Sequence, residues 1–359
     1  RPTDFPVDTS VTGGGFCPLC PENEKTTPNE VLVYGREPHQ PANSSGWKLR
    51  VVPNKYPALV IEGELDKQGE GLYDRMNGIG AHEVVIESPN HADQFAFLPH
   101  EQMMLTFRAF QERIRDLSHD DRFVYVMVFK NNGKAAGASL EHTHSQLVAL
   151  PVMPRMLAAE LEGSKSYYTY KDRCVFCDII RQEIQQDIRL VCENERFVTL
   201  APFAPRTPFE MWILPKKHNS SYVSQNEASL ADLTRIFSET LRRLDACIPG
   251  IPYNFVLHTQ PLQSGALDHY HWHFEIVPKL TNIAGFEWGT GFYINPMPPE
   301  DACRYLRQVE LEERTIVEKK KVLLVEEEES IRLLYSEELE EEGGAVEVAH
   351  NGDQAGGGV

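Results

Sequence analysis

The sequence predicts an α+β fold made of two similar halves, each with antiparallel sheet flanked by helices and related by a pseudo-twofold internal duplication. Three observations predict it. A C-x-x-C pair opens each half, Cys17/Cys20 and Cys174/Cys177. Three histidines recur at one offset of 127 residues: His91 with His218, His142 with His269, and His144 with His271. Around them, short apolar runs bounded by turns read as strands, and two longer segments carry apolar residues at three- and four-residue intervals.

In chain order, the first half is expected over residues 1–151, a link over 152–172, the second half over 173–313, and a separate tail over 320–359. His82-Glu83-Val84-Val85-Ile86 lies over Phe209-Glu210-Met211-Trp212-Ile213, and Leu150-Pro151 over Val277-Pro278, all read as strand and turn. The helical segments are 100–117 and 226–246. At the C-x-x-C pairs the offset is 157, so the first half carries about 30 extra residues before His91, an insertion expected in a surface loop.

With 41% hydrophobic residues the chain has the composition of a cored protein, and no apolar run approaches the ~20 residues that a membrane-crossing helix needs. The net charge of -18 argues against a nucleic-acid partner, which requires clustered Lys and Arg. Much of that charge is local, in Glu326–Glu329 and in the glutamates from Glu337 to Glu342. The rest can still hold an anionic small molecule. The sequence opens on Arg1-Pro2-Thr3 without an initiator Met, so further residues are expected upstream.

Two thiolates three positions apart plus two distant histidines supply the four ligands that tetrahedral zinc prefers. One set is Cys17, Cys20, His91 and His142; the offset gives Cys174, Cys177, His218 and His269 as the other. A single C-x-x-C is equally a redox pair, but two with histidines in matching register favour metal, in a reducing cytoplasm. Neither set leaves a ligand position for water, so two structural zinc ions per chain are expected.

The run Gly137-Ala138-Ser139-Leu140-Glu141-His142-Thr143-His144-Ser145-Gln146 carries the chemistry. On a strand, His142, His144 and Gln146 share a face. An imidazole beside phosphate-binding groups can attack an α-phosphorus and form a nucleotidyl-histidine. Gln146 and Ser139 offer hydrogen bonds to phosphoryl oxygens, and the Gly137-Ala138 turn brings backbone N–H groups near the charge. An H-x-H pair can also be a second metal site or a satisfied histidine on a strand. The second half has Tyr270, Trp272 and His273 where the first has small residues, so His271 is not expected to be a nucleophile.

At these residues the chain resembles the galactose-1-phosphate uridylyltransferase family, the histidine-triad branch built of two fused triad domains. The resemblance spans residues 1–310 and rests on Cys17-Pro18-Leu19-Cys20, Val52-Pro53-Asn54-Lys55-Tyr56-Pro57, Ser88-Pro89-Asn90-His91, Phe129-Lys130-Asn131-Asn132-Gly133 and the run ending at Gln146. It implies two histidine-triad-like domains, a ping-pong exchange between a nucleotide sugar and a sugar 1-phosphate through His144, and a homodimer. It further implies nucleotide contacts from Asn54 and Asn131, phosphate contacts from Ser139 and Gln146, and sugar contacts from the loop holding Phe286 and Glu287. The family's upstream arginines are missing unless Arg1 is the last of them. The wording His142-Thr143-His144-Ser145-Gln146 and Gly289-Thr290-Gly291-Phe292 is as close to the ADP-sugar phosphorylase branch. That leaves open the base and whether hexose 1-phosphate, orthophosphate or water is the acceptor. A zinc-stabilised binding protein without catalysis is the remaining reading, and the intact His144 and Gln146 count against it. Residues 320–359, with a strand at Lys321–Val325 and an amphipathic helix from Ser330 to Glu342, resemble the first strand and helix of a response-regulator receiver domain, cut before its acceptor aspartate; a solvated acidic helix is the equal alternative.

Overall fold

The computed structural model describes residues 16–37, 39–281 and 283–311, together with the backbone of two strands at Lys321–Val325 and Ala345–Ala349. Residues up to Val309 form one compact unit and those from Glu310 a second.

In the first unit the strands are β1 (Leu32–Tyr34), β2 (Leu49–Pro53), β3 (Gln68–Glu70), β4 (Tyr73–Arg75), β5 (Ala81–Ile86), β6 (Tyr125–Asn132), β7 (His144–Leu150), β8 (Leu190–Glu193), β9 (Phe197–Leu200), β10 (Met211–Pro215), β11 (Tyr253–His258) and β12 (His273–Pro278). The α-helices are α1 (His100–Leu117), α2 (Arg155–Lys171), α3 (Val175–Gln186), α4 (Glu227–Cys247), α5 (Gly285–Thr290) and α6 (Pro299–Gln308). Ten strands make one antiparallel sheet in the order β1-β2-β5-β7-β6-β11-β12-β10-β9-β8. The order is symmetric about the β6/β11 pair, where Leu257 lies opposite Val128. The two similar halves therefore share one sheet, and the α+β architecture is the one the periodicities predict.

Helices α1 and α4 cover one face. In α1, Met103, Phe107, Phe110, Ile114 and Leu117 fall on one stripe and are buried, the spacing that makes a helix amphipathic. Helix α4 starts where Asn226 accepts a hydrogen bond from Ser229 N–H at 2.9 Å, satisfying a first-turn donor. Between helices and sheet sits an aromatic core: Phe237 has ring centroids 5.2 Å from Phe107, 5.3 Å from Phe255 and 5.1 Å from Phe274. The Phe255 and Phe274 rings meet Phe237 edge to face and Phe107 meets it tilted, contacts that add to their apolar burial. Opposite, α2 and α3 contribute Leu157, Phe176 and Ile180 to a smaller cluster over the second half.

Alternation along β7 decides what the site shows. Leu147 and Ala149 join the α1/α4 core, so His144 and Gln146 point to the other face of the sheet. The extra residues of the first half include the β3–β4 hairpin, exposed along its length.

In the second unit, Lys321–Val325 pairs in parallel with Ala345–Ala349. The helix expected from Ser330 to Glu342 lies outside the described residues, as does Arg1.

Candidate active site and metal clusters

The knuckle of the first half meets two histidines that are far off in sequence. Cys20 Sγ lies 3.2 Å from His91 Nδ1 and 3.5 Å from His142 Nδ1, and Cys17 Sγ is 3.8 Å from His142 Nδ1. Zinc bonds of about 2.3 Å to sulfur and 2.0 Å to nitrogen span separations of this size in a tetrahedron. His142 Nε2 donates to the Ser88 carbonyl at 2.7 Å. That bond places the ring hydrogen on Nε2 and leaves the Nδ1 lone pair toward the thiols. The donor set fits a structural zinc.

The second knuckle has the same geometry with one change of partner. Cys174, Cys177, His218 and His271 form the group, not His269. Cys177 Sγ is 3.4 Å from His218 Nδ1 and 3.7 Å from His271 Nδ1, and His271 Nε2 donates to the Pro215 carbonyl at 2.7 Å. His269 instead lies with its ring 6.5 Å from Tyr168. The ladders give the reason. Phe129 pairs with Gln146 and Val256 with Glu275, so the offset is 127 on β6/β11 but 129 on β7/β12. Two residues are inserted in the loop between β11 and β12, which an ungapped slide cannot absorb. His271 is thus the counterpart of His142, and His273, not His271, is the counterpart of His144.

His144 begins β7; His142 precedes the strand, in the turn. The His144 Nδ1–H donates to the His142 carbonyl at 2.8 Å, which makes Nε2 the unprotonated nitrogen of a neutral ring. Among the described residues no hydrogen bond engages that Nε2. Burial lowers the His144 pKa, and the nearby Lys130 ammonium pushes the same way. Both keep the ring neutral and nucleophilic.

Beneath the strand lies a buried ion pair that sequence reading did not foresee. Lys130 Nζ donates to Glu87 Oε2 at 2.6 Å, to Thr143 Oγ1 at 3.0 Å and to the His144 carbonyl at 2.8 Å. Glu87 also accepts from the Thr143 and Ser145 hydroxyls. The residues flanking His144 are therefore clamped from below. The available signal was a charge directly after each of two apolar runs, Glu87 after Val84-Val85-Ile86 and Lys130 after Val126-Met127-Val128-Phe129.

The other candidates are placed as follows. Gln146 Oε1 lies 2.8 Å from His82 Nε2, and Asn54 Nδ2 lies 3.2 Å from the same nitrogen. Asn131 Oδ1 accepts from Asn254 Nδ2 at 2.8 Å. Ser139 is exposed, on the loop after Gly137. That loop turns through Gly133 and Gly137, at φ of 82° and 89°, a region costly for residues with a Cβ. Its amides are not free as expected: Gly137 N–H donates to the Lys134 carbonyl at 2.9 Å and Ala138 N–H to Gly133 at 3.2 Å. Phe286 and Glu287 lie on α5, where the Glu287 carboxylate accepts from Ala284 N–H at 3.0 Å.

The counterpart of His144 in the second half is the less accessible ring: His144 retains 6% exposure and His273 none. His273 repeats the Nδ1 bond, to the His271 carbonyl at 3.0 Å, yet is fully buried with ring centroids 5.1 Å from Phe176 and 5.4 Å from Trp212. Its Nε2 has no hydrogen-bond partner and lies 3.9 Å from Glu160 Oε1 and 4.0 Å from Glu275 Oε1. Glu160, His258, His273 and Glu275 together make a third group able to hold a cation, one with harder donors than the thiolate sets. Burial opposes ionisation of Glu160, but His273 and His258 outweigh it and hold the carboxyl at about 2. An extended ungapped register hid this group, because it set His271 over His144.

Among known proteins, a family model described as a domain of unknown function (DUF4921) matches residues 75–331. The chain is 36% identical over 318 residues to an ADP-glucose phosphorylase of Arabidopsis thaliana, covering 87% of this chain and 88% of that protein. It is 30% identical to a galactose-1-phosphate uridylyltransferase of Thermotoga maritima, covering 74% and 86%. The chain belongs to the galactose-1-phosphate uridylyltransferase-like family. The crystal structure of an Arabidopsis thaliana ADP-glucose phosphorylase with bound ADP-glucose superposes on this family member with a TM-score of 0.74 at 35% identity, covering 84% of this chain and 93% of that one. As such a family member it is an enzyme, a nucleotidyltransferase. The receiver-like reading of residues 320–359 finds no support in these relatives. Among the described residues no helix is long and apolar enough to cross a membrane.

Proposed function

We propose that this enzyme moves a nucleotidyl group from a nucleotide sugar through His144. In the first step Nε2 attacks the α-phosphorus; the P–N bond forms as the bond to the bridging oxygen breaks, and sugar 1-phosphate leaves. In the second step an acceptor phosphate oxygen attacks the same phosphorus and the P–N bond breaks. The single observation that carries the reading is the Nδ1–H bond from His144 to the His142 carbonyl at 2.8 Å. It presents Nε2 as a nucleophile and steadies the positive ring formed on attack, as a fixed dipole does for developing charge. Gln146 and Ser139 bind phosphoryl oxygens, Asn54 and Asn131 the nucleoside, and Phe286 and Glu287 the sugar.

For donor and acceptor, an ADP-sugar and orthophosphate are supported by the 36% identity to the phosphorylase over most of both chains. The second reading, UDP-glucose with hexose 1-phosphate, is supported by the 30% identity to the uridylyltransferase. Two structural zinc ions, one in each Cys2His2 group, a homodimer and a cytoplasmic setting complete the proposal. The test offers ADP-glucose or UDP-glucose with either phosphate or galactose 1-phosphate. ADP and glucose 1-phosphate formed fastest from ADP-glucose and phosphate supports the first reading; UDP-galactose formed fastest supports the second. No turnover in any combination contradicts both.

A further inference from the structure

We infer that His82 is a positioning residue that fixes which end of the Gln146 amide faces the phosphoryl group. The inference rests on the nucleotidyl-transfer reading above. It starts from a donor whose identity is certain: the backbone N–H of Ala58 donates to His82 Nδ1 at 3.1 Å. A backbone nitrogen has only a hydrogen to offer, so Nδ1 accepts, and the one hydrogen of the neutral ring is on Nε2. That hydrogen needs an acceptor, and Gln146 Oε1 lies 2.8 Å away. The carbonyl end of the amide is thereby held against His82, and its NH2 end turns away, on the sheet face that His144 shares.

The orientation matters because phosphoryl oxygens only accept hydrogen bonds. With the NH2 end outward, Gln146 stabilises charge developing on the phosphoryl group; reversed, it would set oxygen against oxygen. Nothing in an isolated glutamine chooses between the two, since its ends are alike in size.

Asn54 cannot supply the choice. Its Oδ1 accepts from Tyr56 N–H at 2.9 Å, so Nδ2, 3.2 Å from His82 Nε2, brings another donor and not an acceptor. The register explains how the ring reaches. On β5 and β7, Val84 lies opposite Gln146 and His82 opposite Val148, so His82 and Gln146 are diagonal neighbours on one face, within reach of long side chains. The loop after β2 that carries Asn54 also supplies the Ala58 N–H, so one segment sets both the tautomer and the nearby asparagine.

The test compares three substitutions in the full-length protein. His82→Gln keeps an N–H at the place of Nε2, His82→Glu offers only acceptors, and His82→Ala offers neither. For each, kcat, KM for ADP-glucose and UDP-glucose, thermal midpoint and metal content are measured. We expect His82→Gln to stay within roughly fivefold of the parent kcat. His82→Glu should lose about 100-fold in kcat, with a smaller change in KM and unchanged metal content, the loss typical of removing one donor to a developing charge. His82→Ala should fall between. Should His82→Glu not fold, a kcat for His82→Gln well above that for His82→Ala supports the inference, and equal values overturn it. Equal losses in the Gln and Glu variants would also overturn it, because a packing role does not distinguish donor from acceptor. If the unaltered protein forms no nucleotidyl adduct on His144, the transfer reading falls and this inference with it; an adduct in the parent with no Gln/Glu difference overturns this inference alone.

Discussion

Lys130 and Glu87 form an ion pair at 2.6 Å with both side chains out of contact with solvent, directly under the strand that presents His144. Removing one partner leaves a buried charge unpaired, which typically destabilises by about 3–5 kcal/mol. Lys130→Met and Glu87→Gln are each expected to lower stability by that order, and the double substitution to lose less than the sum. Urea titrations of the four proteins measure the coupling. Additive losses would mean that the two groups do not depend on each other.

The register of the second half makes an opposing pair of predictions. His271→Ala should reduce bound zinc from about two per chain to about one and lower the thermal midpoint, because structural zinc binding is coupled to folding. His269→Ala should leave both unchanged. Metal analysis of freshly purified variants decides it, and zinc lost with His269 but not with His271 would restore the register of 127.

Glu30 yields a pH dependence. Its carboxylate accepts from Arg36 and Arg50 and from Asn43 N–H. Burial pushes its pKa upward, but those bonds outweigh it and the net shift is downward. A carboxyl with a depressed folded pKa adds stability that is present above its ordinary value of 4.5 and is lost as pH falls through the folded value. Glu30→Gln should therefore cost about 2–3 kcal/mol near neutral pH, with the gap to the parent protein closing below pH 4.5. Thermal midpoints of both proteins across that range test it; a gap constant with pH would remove the charge from the explanation.

How much of this was legible in sequence depended on whether a signal was local. The helices starting at His100 and Glu227 were visible because each buries one stripe. The Cys17, Cys20, His91 and His142 set could be read because each type is rare and its spacing specific. The second set differs by two residues, since His269, His271 and His273 form an alternating run in which a shift of two still finds a histidine. Glu87, Lys130 and His82 were passed over for another reason. Their partners come from other strands, and only the ladders bring Thr143, Ser145 and Gln146 to them. Residues 152–172, expected as a link, hold α2, which supplies Glu160 to the third cluster.

The asymmetry of the halves gives a chemical rescue. His144→Gly should abolish turnover, and added imidazole should restore part of it by occupying the vacated space beside the His142 carbonyl. His273→Gly with imidazole should show no such gain, because Phe176 and Trp212 cover that ring. Rescue at position 273 would make the halves chemically equivalent.

The most direct test of the account is a single-turnover reaction of the protein with ADP-glucose or UDP-glucose in the absence of any acceptor, quenched in alkali and digested for mass spectrometry. One nucleotidyl group on the peptide containing His144, formed together with one equivalent of glucose 1-phosphate and absent from His144→Ala, is the predicted result. Turnover on adding acceptor with no such adduct at any time, or a His144→Ala protein as active as its parent, would contradict it.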